Sequence, residues 1–572
     1  MLKKPWLSSY EAQVPHSLQY PKTTLNELFN DAVRKYGDKT ATKFVLRYLL
    51  GGKVMVGGTL TYMQLNLLIN NFAAALAGMG VKKGDRVAVM LPNSPHFVIA
   101  FFAAMRLGAI VVNTNPTYTA RELKHQLEDS GAETIVILNL FYPRLKEIVS
   151  ETHVKNTVVA YVYDTLGFPS HLLVKSAQKK DPEWNEPQTS ADTHNFADLI
   201  AKTGTPPRAE ISADDVALFQ YTGGTTGLPK AAMLTHHNLV ANVIQTTAWD
   251  HTAKKGAEKV MSAIPFFHVY GMTVCMLYGL SSGAELVIVP NPRPIENVMR
   301  VIQNERCTTY PGVPAMYIGI INHPRINEFN LRSVRVCISG SAPLPMEVQE
   351  RFGELTGGRL VEGYGLTEAA PVTHCNPIFG TRKSGSVGVP YPDVEAKLID
   401  LSTGQECEPG EDITGELCLR GPQVMKGYWN KPEETANTID ADGWLHTGDI
   451  CRMDNDGFFF IVDRKKDMIN VGGLKVLPRD VEEVLFMFPK VQEAAVVGIP
   501  HPTRGDDTLK AYIVLKQGME CTADEVREHC KKNLAPYKVP REIEFRTELP
   551  KTQVGKILRR VLVEEEKQKT KK

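Results

Sequence analysis

Short, wholly apolar runs recur along this chain with helix-length segments between them, and this constrains the fold more than any other feature. RVAVML at 86–91 is the first clear run. A run without polar alternation suits a strand buried on both faces, as in a parallel sheet. Ser94 and Pro95 then supply a capping hydroxyl and a proline where a helix tolerates one, at its first position. Phe97, Ile99, Ala100, Phe102 and Met105 fill the predicted helix, and Gly108 ends it. AIVV at 109–112 is the next strand, and the same texture returns at 134–137, 285–289 and 334–338. The expected fold class is α/β, with a large N-terminal domain of doubly wound sheets and parallel strands.

At 572 residues the chain exceeds what one core serves. From about Gly385 alternating strands appear with turns at Pro409-Gly410 and Asp456-Gly457, which predicts a small antiparallel or barrel-like portion. A charged run, Asp463-Arg464-Lys465-Lys466-Asp467, precedes a final segment with helices at 479–486 and 523–533 and strands at 494–499 and 509–515. That segment is large enough for its own α+β domain. The expected division is 1–463, a seam at 464–467, and 468–572.

Lysine plus arginine number 65 against 64 acidic residues, which argues against a dedicated nucleic-acid binder. Nine scattered cysteines without a CxxC pair suggest reduced thiols and a cytoplasmic setting. The basic N-terminus lacks an apolar signal core, and the most apolar stretch, 97–112, is broken by Arg106 and Gly108. The segment 166–180, with Phe168, Leu172, Leu173, Lys175, Lys179 and Lys180, is a candidate for peripheral membrane contact. A solvated surface helix is its favoured reading.

YTGGTTGLPK, beginning at Tyr221, lies between two apolar runs. Gly223, Gly224 and Gly227 permit a tight loop whose N–H groups converge, Thr222, Thr225 and Thr226 add hydroxyls, and Lys230 adds a cation. Such a loop suits a polyphosphate. It is not a Walker A loop, because Leu228-Pro229 separates Gly227 from Lys230. Taken alone, it reads equally well as an ordinary Gly/Thr-rich turn.

Five further stretches decide the matter: PFFHVYG at 265–271, SGSAPL at 339–344, EGYGLTE at 362–368, WLHTGD at 444–449 and PKTQVGK at 550–556. With YTGGTTGLPK they resemble, in order and spacing, the core motifs of the adenylate-forming superfamily, with bacterial long-chain fatty-acid–CoA ligases the nearest branch. The resemblance spans nearly the whole chain. It implies attack of a fatty-acid carboxylate on the α-phosphorus of ATP with release of pyrophosphate, then transfer of the acyl group from AMP to coenzyme A. No protein nucleophile is required, so positioning and fixed charge carry the catalysis.

The resemblance assigns roles. The loop from Thr222 to Lys230 holds the β- and γ-phosphates. Tyr364 stacks on adenine, with Glu362, Gly363 and Gly365 around it, and Gly340, Ser341 and Ala342 flank the base. Thr367 meets the α-phosphate. Glu368 is an oxygen ligand for Mg²⁺, with Thr222. Asp449, in a turn-like stretch, binds both ribose hydroxyls and Arg464 contacts the nucleotide. Lys556 bridges the attacking carboxylate and the α-phosphate. Gly472 and Gly473 line the coenzyme A channel of a mobile C-terminal domain hinged at Lys466.

His268, Tyr270, Gly271, Met272 and Gly312 are candidate acyl-pocket residues, with His268 shaping the pocket rather than transferring protons. PFFHVYGM has no aspartate to pair with a substrate amine, which argues against an amino-acid substrate. The alternatives are a medium-chain or aryl acid–CoA ligase, an acyl-AMP ligase serving a carrier protein, and a non-catalytic lipid-binding protein. Intact Glu368, Asp449 and Lys556 speak against the last. A homodimer is a further implication of the resemblance.

Overall fold

The computed structural model describes residues 4–222, 229–410, 413–465, 467–471, 474–500, 507–552 and 557–570. The chain divides into two compact units. One comprises Ser9–Val394 and Arg420–Asp442, and the other Met1–Ser8, Glu395–Leu419 and Gly443–Lys572.

The centre of the larger unit is an eight-stranded sheet. Its spatial order is Gly427–Tyr428, Lys230–Thr235, Val216–Thr222, Ile110–Asn113, Arg86–Met90, Thr134–Leu138, Asn156–Ala160 and Thr193–Asn195. From Val216–Thr222 onward every pairing is parallel. The helix Pro95–Arg106 forms as the sequence predicts. Ser94 Oγ accepts from the Phe97 amide at 3.3 Å, and Gly108 turns the chain at φ +68°. Pro95 through Met105 are all buried, so apolar residues on every side of this helix meet protein.

The glycine-rich stretch joins two neighbouring strands of this sheet. Val216–Thr222 and Lys230–Thr235 pair antiparallel, with Thr222 opposite Lys230. A connection confined to residues 223–229 is too short for the crossover that parallel strands need. The chain therefore folds back as a hairpin.

A second group of strands lies in the same unit. Thr40–Leu49 and Lys259–Ser262 flank Glu285–Ile288, both parallel to it. Val336–Ser339 runs parallel to Arg359–Gly365, which pairs antiparallel with Val372–Cys375. Bridges from Thr309 to Val260 and Val336 connect the two sets. The strand Arg359–Gly365 carries Tyr364 within it.

In the smaller unit, Glu395–Ile399, Thr414–Arg420, Leu445–Met453 and Phe459–Arg464 form a four-stranded sheet where the barrel-like portion was expected. Asp449 lies inside the strand Leu445–Met453, not in a turn. Its neighbour Gly448 has φ +71° and the ladder shifts register just beyond it, so a bulge imitates a turn in the sequence. The remainder is α+β. Val491–Pro500, Asp507–Leu515 and Glu542–Phe545 make a three-stranded sheet. Val481 and Leu485 from Pro478–Phe486 and Val526 from Ala523–Asn533 bury against Val496, Ala511 and Ile513.

Among the described residues no helix is long and apolar enough to cross a membrane. The cysteines are all free thiols.

Candidate active site

At the neck of the glycine-rich hairpin, Thr222 Oγ1 donates to the Lys230 carbonyl at 3.5 Å. Gly223, Gly224, Thr225, Thr226 and Gly227 lie outside the described residues. The Lys230 ammonium forms an ion pair with Glu434 and stands 5.2 Å from the centre of the Tyr428 ring. The Tyr428 hydroxyl in turn donates to Glu368 Oε1 at 2.7 Å. Burial, with the Glu368 charge beside it, pushes the phenol pKa up, so Tyr428 stays protonated and acts as a donor. One tyrosine thus links the lysine and the carboxylate that the sequence places in separate motifs.

Backbone geometry fixes these groups. Glu368 sits in the 3-10 turn Thr367–Ala369, and its carbonyl accepts from the Met425 amide at 2.8 Å. The turn ends at Ala370, φ +65°, ahead of a cis Pro371. Residues 425–429 lie along Lys230–Thr235, with Gly427 opposite Met233 and Tyr428 opposite Ala232. Trp429 extends the contact, its amide donating to the Ala231 carbonyl at 2.9 Å and its indole to the Asp129 carbonyl at 3.2 Å. Sequence reasoning missed this segment. KGYWNKPEE at 426–434 reads as a polar connection, and its place beside the sheet is a long-range pairing.

The glycine motifs converge at the carboxyl ends of parallel strands, where open α/β sheets place ligands. Ser339 opposite Glu362 sets Gly340-Ser341-Ala342 beside Gly363-Tyr364-Gly365. Ser341 turns the chain at φ +71°. A Cβ at Gly365 would lie 2.1 Å from the Pro371 oxygen, so no side chain fits there. The Tyr364 ring meets His374 edge-on, centroids 5.8 Å apart. Burial lowers the His374 pKa to about 3, which keeps that imidazole neutral.

Tyr270 joins the two sides of the candidate acyl pocket. Its hydroxyl donates to the Ile338 carbonyl at 2.7 Å and the Gly312 carbonyl at 3.2 Å, and a Cβ on Gly340 would lie 3.2 Å from its ring. At Gly271 a Cβ would fall 2.2 Å from the Pro265 oxygen. His268 Nδ1 accepts from the Tyr270 amide at 3.2 Å, so that lone pair caps the short helix Val269–Gly271. Met272 opens a π-helical stretch, Met272–Leu277, a wider winding found often at functional sites.

Two buried amides missed from the sequence hold this segment. Gln220 Nε2 donates to the Phe267 carbonyl at 3.0 Å. Asn113 Nδ2 donates to Gln220 Oε1 at 2.9 Å and reaches Met272 Sδ at 3.5 Å. The available signal was an amide at or near the end of an apolar strand, as in IVVN and VALFQ.

The smaller unit carries the ribose-side candidates. Arg464 stands opposite Asp449 in the ladder, with Nε 3.1 Å from Asp449 Oδ1. Next to them, the Asp463 carboxylate accepts from the Arg464 amide at 2.7 Å and the Arg479 amide at 2.9 Å. Burial raises the Asp463 pKa to about 6 despite both bonds. Arg559 binds Glu482 at 2.6 Å and Asp467 at 3.2 Å. Lys466, Gly472, Gly473 and Lys556 lie outside the described residues.

Among the described residues no group of three or more metal-ligating side chains exists. The donor set at Glu368 and Thr222 still fits Mg²⁺ carried on a nucleotide, because such an ion takes one or two carboxylates and completes its shell with phosphate and water. Among the described residues Tyr428 bonds Glu368 through Oε1, so Oε2 is the oxygen that would face such an ion.

The neck of the Gly/Thr-rich hairpin, the glycine turns at strand ends and the Glu368 carboxylate are the parts that the sequence motifs assign to a nucleotide-dependent acid-activating enzyme. The chain belongs to the AMP-binding enzyme family, whose model matches residues 29–429, and the AMP-binding enzyme C-terminal domain matches residues 480–556. It is 44% identical over 567 residues to the long-chain-fatty-acid–CoA ligase of Bacillus subtilis (strain 168), covering 99% of this chain and 98% of that protein. It is 40% identical over 575 residues to the corresponding ligase of Salmonella typhimurium, again covering 99% and 98%. Among solved structures, the anthranilate CoA ligase AuaEII in complex with anthranoyl-AMP superposes with a TM-score of 0.82 at 27% identity. It covers 97% of this chain and 99% of that one.

Proposed function

We propose that the protein joins a long-chain fatty acid to coenzyme A at the expense of ATP, through an acyl-adenylate. The observation that carries the reading is the grouping of Lys230, Tyr428 and Glu368 at the neck of the glycine-rich hairpin. It supplies fixed positive charge and a metal-ready carboxylate beside a polyphosphate loop. The 44% identity to a long-chain ligase over 567 residues supports the substrate class.

In the first step a carboxylate oxygen bonds to the α-phosphorus and the bond to pyrophosphate breaks. Lys230 and the loop 223–228 hold the leaving group, and Thr367 orients the α-phosphate. Tyr364 stacks on adenine, Asp449 holds the ribose and Lys556 steadies the incoming carboxylate. Mg²⁺, when bound, neutralises charge that builds on the phosphate oxygens. In the second step the thiol sulfur of coenzyme A bonds to the acyl carbon, AMP leaves, and the thiol proton passes to solvent. Rotation at Lys466 exchanges Lys556 for Gly472-Gly473 between the steps.

We place the protein in the cytoplasm, with the segment 166–180 read first as a solvated surface helix and peripheral contact with a lipid surface as the alternative. The exposure of Phe168 (85%), Leu172 (57%) and Leu173 (47%) around the helix Ser170–Gln178 supports that contact.

The test is product identification by mass spectrometry with Mg-ATP and acids from acetate to oleate plus cinnamates, with and without coenzyme A. Long-chain thioesters that require coenzyme A are expected. Adenylates that persist in its presence would point to a carrier-protein acceptor. No adenylate from any acid would remove the enzyme reading.

A further inference from the structure

The segment after Arg420 contributes two side chains that none of the sequence motifs includes. Tyr428 and Glu434 both act on charges at the proposed triphosphate site. Glu434 forms an ion pair with Lys230, and both side chains are about one-third exposed. Tyr428 is buried, presents its ring face to the same lysine, and donates its hydroxyl to Glu368. Thr435 Oγ1 accepts from the Tyr428 amide at 2.9 Å and donates to the Lys431 carbonyl at 2.9 Å, which fixes Tyr428 relative to the short helix Pro432–Ala436. Gly427 is required here, because a Cβ on it would fall 2.7 Å from Thr435 Cγ2.

We infer that Tyr428 and Glu434 are positioning residues for the metal–triphosphate: Tyr428 holds Glu368 with one oxygen turned to the ion, and Glu434 stands in for a phosphate on Lys230. The inference rests on the proposed function, since it concerns the same site. Its chemistry is competition. A lysine ammonium shared by a carboxylate and a phosphate gives each less than the full attraction, so the nucleotide must draw Lys230 from Glu434. Glu434 therefore weakens MgATP and pyrophosphate alike, and its return to Lys230 favours pyrophosphate release. Tyr428 acts in the opposite sense. A phenol on one carboxylate oxygen restrains the glutamate to a single orientation, and it lowers the Mg²⁺ concentration needed to assemble the site.

The experiment is calorimetric titration of the full-length protein and of the Glu434→Gln and Tyr428→Phe variants. MgATP and Mg-pyrophosphate are the ligands, over a series of free Mg²⁺ concentrations. Glu434→Gln should bind both ligands about twofold to fivefold more tightly, the worth of an ion pair whose side chains are about one-third exposed. Tyr428→Phe should raise the Mg²⁺ midpoint for ATP binding roughly tenfold, the worth of a hydrogen bond to a charged group, and excess Mg²⁺ should restore binding. A thermal melt of each variant accompanies the titrations, because a purely structural role would lower the melting temperature and leave the Mg²⁺ midpoint unmoved. Unchanged or weaker MgATP binding in Glu434→Gln overturns the role of Glu434. A wild-type Mg²⁺ midpoint in Tyr428→Phe overturns that of Tyr428. Wild-type protein that binds no MgATP would instead remove the proposed function itself.

Discussion

The Tyr270 hydroxyl illustrates what a single residue does in this fold and how little of it the sequence reveals. The resemblance assigns PFFHVYG to the substrate side, and the neighbouring glycines are legible as places where backbone must approach backbone. The two carbonyls that accept from it, at Gly312 and Ile338, lie 42 and 68 residues further along the chain. No local pattern encodes that join. Burial also raises the phenol pKa well above its ordinary value, so Tyr270 stays a donor and takes no part in proton transfer. Tyr270→Phe removes the donor and leaves the ring. Stability should fall by about 1 kcal/mol, because one buried hydroxyl bond is lost while both carbonyls keep their backbone N–H donors. The Michaelis constant for the fatty acid should rise more than that for ATP. Melting curves and steady-state kinetics with each substrate varied check this, and equal rises in both constants would count against a wall of the acyl pocket.

At the scale of an element, the segment around Ser170–Gln178 shows where a pattern is legible and where tertiary packing takes over. Its apolar and basic residues were readable, and the helix lies within the predicted span. Its anchorage was not. Tyr161 and Tyr163 stack with ring centroids 5.3 Å apart, Trp184 lies 5.3 Å from Tyr161, and His171 meets Tyr163 edge-on at 5.0 Å. Asp164 sits beside this stack and accepts from the Tyr161 amide at 2.8 Å. Burial raises its carboxyl from the usual 3.8 to about 7, Asp198 adds to the rise, and the amide bond and Lys175 oppose it. Between those two values the folded protein holds a proton that the unfolded chain has released. The stabilising contribution is therefore complete below about pH 4 and is lost as the pH rises through about 7. Asp164→Asn keeps an acceptor for Tyr161 and removes the buried charge. It should stabilise the protein by roughly 1–2 kcal/mol at pH 8 and have little effect near pH 4. Melting temperatures of wild type and variant across that range should converge as the pH falls, and parallel curves would contradict the assignment.

For the whole molecule, elements such as 86–91, 97–105, 109–112 and 523–533 were legible because buried strands, caps and glycine stops are local signals. Pairings that join distant segments were not, and the strand at Gly427–Tyr428 with its hold on Glu368 is the clearest case. The seam at 464–467 lies between these extremes. Its charges were visible, but their partners are tertiary. Asp463 receives the Arg479 amide, and Asp467 receives Arg559 at the start of the helix Arg559–Thr570. Both bonds tie the seam to elements that follow it, so a rotation at Lys466 has to break the Asp463–Arg479 bond while Asp467 moves with Arg559. Proline at position 466 would fix one backbone dihedral at the joint. Lys466→Pro should therefore spare the partial reaction that needs a single arrangement and impair the one that needs the exchange. Adenylation, followed by exchange of labelled pyrophosphate into ATP, should stay within about threefold of wild type, while thioester formation falls roughly tenfold or more. The two assays run on one preparation separate the cases. Equal losses would mean that the seam is a structural joint, and that Lys556 and Gly472-Gly473 serve their steps without rotation there.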